Sequence, residues 1–138
     1  MKTRAATRTN KARVAIVDDS FDMRELLQEY LSGCGIEAIG FEGVSEALEF
    51  LTSAKSRSIK LVLCDLNFPE QSGLVLLRRM RTLHPEIPVI LMSAFADRSA
   101  VDRMRSEGAA AYVNKTDGLG PVLGAIERGL AFSGAPSR

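Results

Sequence analysis

The chain is poor in the residues that most often announce a special chemistry. Of its 138 residues only two are cysteines, Cys34 and Cys64. Their spacing supplies neither a disulfide framework nor a metal-ligand set. Cys64 lies inside an apolar run and reads as a small buried hydrophobe. Charge of one sign is also missing: the formal net charge is +1, so no strong global field recruits nucleic acid or an anionic membrane. No apolar run approaches membrane-spanning length, and the N-terminus lacks the apolar stretch of a signal peptide. Internal repeats and low-complexity linkers are absent. These absences leave one globular domain, expected to be soluble and, with reduced thiols, cytoplasmic.

The ends are expected to lie outside that domain. Residues 1–12 carry Lys2, Arg4, Arg8 and Lys11 with no acid before Asp18, and read as a disordered basic tail. Residues 133–138 read as a loose end, which leaves 13–132 as the domain.

Within it the most informative stretch is Leu61-Val62-Leu63-Cys64-Asp65, an apolar run climbing into one acid and followed by a loop with Pro69 and Gly73. The run reads as a buried strand with Asp65 where it leaves the core. The same grammar recurs. Residues 13–17 form a strand ending in Asp18-Asp19, and Ser20 caps a helix in which Met23, Leu26, Leu27, Tyr30 and Leu31 recur at helical spacing up to a stop at Gly33. A second strand covers 36–41. A second helix, 44–54, buries Ala47, Leu48 and Leu51, and a basic, serine-rich connection covers 53–60. Ser72 caps a third helix bearing Leu74, Leu77 and Met80, ending near His84-Pro85. A fourth strand, 88–93, finishes in Ser93. The fourth helix begins at Asp97, has a weak apolar stripe and stops at Gly108. The fifth strand, 110–115, finishes in Lys115. Leu119, Val122, Leu123, Ile126 and Leu130 mark the last helix.

Five strand-then-helix units joined by short connections specify an α/β fold, a parallel sheet covered on both faces. In such sheets ligands bind beyond the carboxyl ends of the strands. That edge collects Asp18, Asp19, Asp65, Ser93 and Lys115. Like charges ~4 Å apart repel by about 1 kcal/mol even in water, so three acids need a cation that one lysine cannot replace. A hard dication does, and Mg²⁺ favours one or two carboxylates together with water and phosphate oxygens. A carboxylate can be a nucleophile toward a phosphoryl group. Transfer of that group needs its oxygens neutralised by a metal, an ammonium and a hydroxyl, which this edge can supply. His84 has no place in the constellation.

Four quoted stretches together resemble the CheY-like receiver domain of bacterial response regulators. They are Val14-Ala15-Ile16-Val17-Asp18-Asp19-Ser20, the Asp65 strand with Pro69 and Gly73, Met92-Ser93-Ala94, and Tyr112-Val113-Asn114-Lys115. The resemblance implies a doubly wound, flavodoxin-like sandwich with strand order 2-1-3-4-5. It implies that Asp65 is the phosphoacceptor and that Asp19 binds Mg²⁺ directly and Asp18 through water. Asp65 and the backbone carbonyl of Asn67 would complete the protein ligands. Lys115 and Ser93 would contact the phosphoryl group, and Ser93 and Tyr112 would form a switch pair. It further implies a sensor histidine kinase or phosphotransfer protein as partner and a downstream protein or missing output domain as target. The shifting surface would be the fourth helix, fifth strand and fifth helix, with Arg98, Arg103 and Arg105. Direct nucleic-acid binding and membrane contact by this chain are not expected; homodimerisation through the last helix and strand is a family habit. Such a domain catalyses only its own phosphorylation and dephosphorylation.

Two positions stand apart. Thr116 follows Lys115 where the family often has a proline, and Phe95, two residues past Ser93, cannot orient a hydrolytic water, so a long-lived phosphoryl group is expected. Two rival readings are an aspartate-nucleophile phosphohydrolase, against which stands the adjacent Asp18-Asp19 in place of Asp-x-Asp, and a degenerate receiver acting as a phosphorylation-independent interaction module.

Overall fold

Apolar strands buried on both faces, alternating with helices, produce three layers. The structure, a computed structural model, describes residues 13–133. The strands are β1 (Arg13–Val17), β2 (Glu37–Phe41), β3 (Ile59–Asp65), β4 (Val89–Ser93) and β5 (Ala111–Asn114). The helices are α1 (Phe21–Gly33), α2 (Val44–Leu51), α3 (Gly73–Leu83), α4 (Arg98–Ser106) and α5 (Leu119–Ser133). All strand pairs are parallel and the order is β2-β1-β3-β4-β5, the doubly wound arrangement expected. The basic stretch 1–12 and residues 134–138 lie outside the described residues; Ser133, expected in the loose end, is the last residue of α5.

Because successive side chains leave a strand on opposite faces, the sheet separates two cores. On one face Ala15, Val17, Val62, Cys64, Val89 and Leu91 pack with Ala47 and Leu51 of α2, Leu76, Leu77 and Met80 of α3, and Met104 of α4. On the other, Val14, Ile16, Leu61, Leu63, Ile90 and Met92 pack with Leu27 and Leu31 of α1 and Val122 and Ile126 of α5. Both faces of β1, β3 and β4 are therefore dry, which is why these strands are uninterrupted apolar runs.

Several boundaries differ from the sequence reading. α2 stops at Leu51, and the serine-rich connection contains a 3₁₀ turn, Ala54–Ser58, capped by Ser53, whose hydroxyl accepts from the Lys55 amide. A serine at that point competes for backbone donors and ends the helix early. β3 starts at Ile59, before the uninterrupted apolar run, because Ile59 is buried while Lys60 faces outward. In α1 only Leu27 and Leu31 are fully covered; Leu26 and Tyr30 are 48% and 46% exposed. Five apolar positions wrap more of a helix than one sheet face can cover. The α1 exit uses Gly35 at φ 80°, two residues past the expected stop at Gly33. In α3 the buried set is Leu76, Leu77 and Met80, with Leu74 only half-buried. β5 ends at Asn114, and Lys115 opens a short 3₁₀ turn whose second amide, that of Thr116, is capped by the Asn114 side chain at 2.9 Å. No cis peptide occurs among the described residues.

The packing of α5 yields a paired expectation. At Gly124 an added Cβ would meet only the end of the Arg128 side chain, so Gly124→Ala is expected to stabilise by up to about 1 kcal/mol through helix propensity. At Gly129 the same methyl would collide with the buried Leu61 side chain, so Gly129→Ala is expected to destabilise by about 1–3 kcal/mol. Urea denaturation of the two variants measures both signs; stabilisation by Gly129→Ala would show that α5 stands off the sheet.

Candidate functional site at the carboxyl ends of the strands

Each site residue is delivered by the end of a different strand. β1 ends at Val17 and releases Asp18-Asp19; β3 ends on Asp65; β4 ends on Ser93; Lys115 follows β5. Parallel pairing aligns these ends on one edge, with Asp65 opposite Met92 and Ser93 opposite Asn114. Asp18 is fully buried, Asp65 6% and Ser93 1% exposed, while Asp19 is exposed.

Local bonding holds the carboxylates in place. The Asp18 Oδ1 accepts the Ser20 amide at 2.9 Å, while Ser20 caps α1 by accepting from Met23 at 3.2 Å. Arg24 of α1 reaches back and donates to the Asp18 carbonyl at 2.8 Å. The Asp65 Oδ1 accepts the Asn67 amide at 3.3 Å. Gly73, at the start of α3, packs so close that a Cβ there would collide with the Asp65 carbonyl oxygen. Only glycine lets the α3 entrance sit against the end of β3.

The three carboxylates converge: one oxygen from each of Asp18, Asp19 and Asp65 lies within 4.8 Å of the others. The Lys115 ammonium bridges two of them, 2.9 Å from Asp18 Oδ2 and 3.1 Å from Asp65 Oδ2. Burial, more than any neighbour, pushes the Asp65 carboxyl above its usual range, with Lys115 pulling it down and Asp18 pushing it up. Burial pulls Lys115 down, but its bonds to Asp18 and Asp65 outweigh that and hold it above the ordinary lysine value. Three acids with one bound ammonium leave two negative charges, and every donor is a hard oxygen. Such a set suits Mg²⁺ in charge and in chemistry.

The sequence-derived candidates are therefore brought together, with different surroundings. The Ser93 hydroxyl is bonded to Asn67 and to the Phe95 amide rather than to a carboxylate. Its Oγ donates to Asn67 Oδ1 at 3.1 Å and accepts the Phe95 amide at 3.3 Å. Tyr112 is half-buried and donates its hydroxyl to the Ser93 carbonyl at 3.3 Å. Burial first, and Asp117 second, raise the Tyr112 phenol above its usual value. Cys64 points into the opposite core, as strand alternation requires, and its thiol is raised by burial and then by the neighbouring Asp65 and Asp18. His84 sits away from the site, its Nε2 3.1 Å from the Leu51 carbonyl. Sequence reasoning missed Arg24, for which one helical arginine gives no signal. It also missed the Asn67 side chain, which it valued only for its backbone.

A doubly wound sheet with an acidic, lysine-bridged centre at its strand ends is the architecture of a signalling receiver module. The response regulator receiver domain family matches residues 14–126, and the chain belongs to that family, the receivers of two-component systems. It is 32% identical over 118 residues to the DNA-binding transcriptional regulator NtrC of Escherichia coli, covering 86% of this chain and 24% of that protein. It thus spans about a quarter of the length of the curated relatives it matches. Among solved structures, a response regulator receiver protein from Pseudomonas putida matches with a TM-score of 0.76 at 30% identity, over 86% of this chain and 97% of that one. The response regulator protein TrrA from Thermotoga maritima, crystallised in complex with Mg²⁺ and BeF, matches with a TM-score of 0.73 at 28% identity, over 86% and 99%. No helix among the described residues is long and apolar enough to cross a membrane.

The raised Asp65 carboxyl has a stability consequence in metal-free protein. With the folded value above the unfolded one, the native state holds the proton longer, so stability falls as pH rises from the unfolded value through the folded one. Asp65→Asn keeps the shape and an acceptor for Lys115 and removes that loss. It is expected to be the more stable protein at pH 7 by less than about 1 kcal/mol. Urea midpoints at pH 7 and at pH 3 measure it: the gap closes at the lower pH, and a variant less stable than wild type at pH 7 would contradict the desolvation argument.

Proposed function

We propose that this receiver accepts a phosphoryl group on Asp65 from a sensor histidine kinase or phosphotransfer protein, in a reaction that requires Mg²⁺. The observation that carries the reading is the Lys115 ammonium lodged between Asp18 and Asp65, beside the third carboxylate of Asp19.

The residues divide the chemistry. One Asp65 oxygen attacks phosphorus; the new O–P bond forms as the donor's N–P bond breaks, and the electron pair leaves on the imidazole nitrogen, which takes up a proton. Lys115, already 3.1 Å from Asp65, neutralises charge on the transferring oxygens. Asp18 holds Lys115 in that position from its other side. Asp19, Asp65 and the Asn67 carbonyl would hold Mg²⁺ directly and Asp18 would hold it through water; bound there, it would supply the positive charge that lets four oxyanions share one pocket. Ser93 turns its hydroxyl to the phosphoryl group, and the Tyr112 ring moves behind it. Phe95, 90% exposed and two residues past Ser93, offers the attacking water no polar side-chain partner, which favours a long-lived aspartyl phosphate.

The response is then a shift of the surface formed by α4, β5 and α5, recognised by a downstream protein or an output domain. NtrC, a DNA-binding regulator by name, is far longer than this chain. The receiver turns over no separate substrate; it acts on its own phosphoryl group.

Intact mass after incubation with acetyl phosphate tests the reading. Wild type is expected to gain one phosphoryl group with Mg²⁺ and none in excess chelator, and Asp65→Asn none in either. No gain by wild type that binds the metal would favour a phosphorylation-independent interaction module, and a gain surviving in Asp65→Asn would mean a different acceptor. Separately, a carboxylate as far as about 4 Å from a dication is worth about 2 kcal/mol at the permittivity of water, and a direct ligand stands closer. Asp19→Asn should therefore weaken Mg²⁺ binding at least about tenfold, read by calorimetry.

A further inference from the structure

The Ser93 hydroxyl is committed elsewhere in this structure. It belongs to a residue only 1% exposed, and it both donates and accepts a hydrogen bond. A hydroxyl has a single proton. The Phe95 amide already donates to Oγ at 3.3 Å, which leaves that proton to be given away, and it goes to Asn67 Oδ1 at 3.1 Å. Asn67 stands two residues beyond Asp65 in the β3–α3 loop, and its own amide is bonded to Asp65 Oδ1 at 3.3 Å. Its side chain therefore ties the β3–α3 loop to the end of β4 across 26 residues of sequence.

We propose that the Asn67 carboxamide is a latch that holds the Ser93 hydroxyl away from Asp65 in the resting state and yields it when a phosphoryl group arrives. Asn67 is thus a positioning residue acting through Ser93. The inference rests on the reading that Ser93 serves the phosphoryl group. The exchange has a direction. A neutral amide oxygen is a weaker acceptor than a phosphoryl oxyanion, whose hydrogen bonds are about twice as strong. The latch therefore opens on phosphorylation and closes on its loss. Tyr112, bonded to the Ser93 carbonyl, stands on the far side of the same residue and registers the change.

A double-mutant cycle on the acetyl phosphate reaction tests this. Freeing the hydroxyl removes one neutral hydrogen bond from the resting state, so Asn67→Ala is expected to speed phosphorylation at saturating Mg²⁺ about two- to tenfold. In a Ser93→Ala background the same substitution is expected to change nothing, since there is no hydroxyl to release. Amide NMR of the unphosphorylated proteins gives a second readout. In Asn67→Ala the Phe95 amide resonance is expected to move toward its position in phosphorylated wild type. In Asn67→Asp, which keeps an acceptor at the same atom, it is expected to stay at the resting position. An equal change of rate in both backgrounds would assign Asn67 to the metal loop and overturn the latch, as would an unmoved Phe95 resonance in Asn67→Ala. If wild type takes up no phosphoryl group, the function proposed above fails and the latch with it; if wild type is phosphorylated and the cycle is additive, only the latch fails.

Discussion

Lys115 places one ammonium between two carboxylates that lie 97 and 50 residues before it in the chain. Without that cation Asp18, Asp19 and Asp65 would face one another at the dry edge of a sheet, where like charges repel far more than in water. The rest of the structure is arranged around making this contact possible. β5 must lie at the end of the sheet beside β4, and β3 must lie between β1 and β4, or Lys115 could not touch both acids. The order β2-β1-β3-β4-β5 is therefore as much a requirement of the site as of the core.

The two cores serve the same end. Apolar side chains on both faces hold β1, β3 and β4 rigid, so their terminal residues emerge at defined heights. Close packing tolerates little drift. Gly73 brings the α3 entrance against the Asp65 carbonyl, and Arg24 anchors the Asp18 carbonyl from α1. The acids are thus held by the fold while their charges remain only partly compensated. A cluster left two negative charges short of neutrality is held ready for a dication.

In the proposed switch, movement would be confined to what the scaffold leaves uncommitted. The loops after β3 and β4 meet through Ser93 and Asn67, and Tyr112 reads the same residue from β5. α4 fits this picture, with only Met104 fully buried and an outer surface of arginines. An element with so little apolar anchoring shifts at low cost, whereas α3 and α5, with several buried side chains each, act as fixed walls.

Much of this was legible in the chain. Apolar runs ending in Asp18, Asp65, Ser93 and near Lys115 marked the strands and their active ends, because burial on both faces and loss of it at the edge are written in local composition. The sequence overestimated the buried face of α1, since spacing shows which residues share a side but not how wide the sheet beneath it is; Leu26 and Tyr30 stayed in solvent. It misplaced the end of α2, where Ser53 redirects the backbone. Residue identity determined the strand ends and the acid–amine–hydroxyl chemistry of the site. Only the tertiary structure decided that Lys115 bridges Asp18 to Asp65 and that Asn67 holds the Ser93 hydroxyl, because those contacts depend on strand order and register, which bring together loops that no local pattern connects.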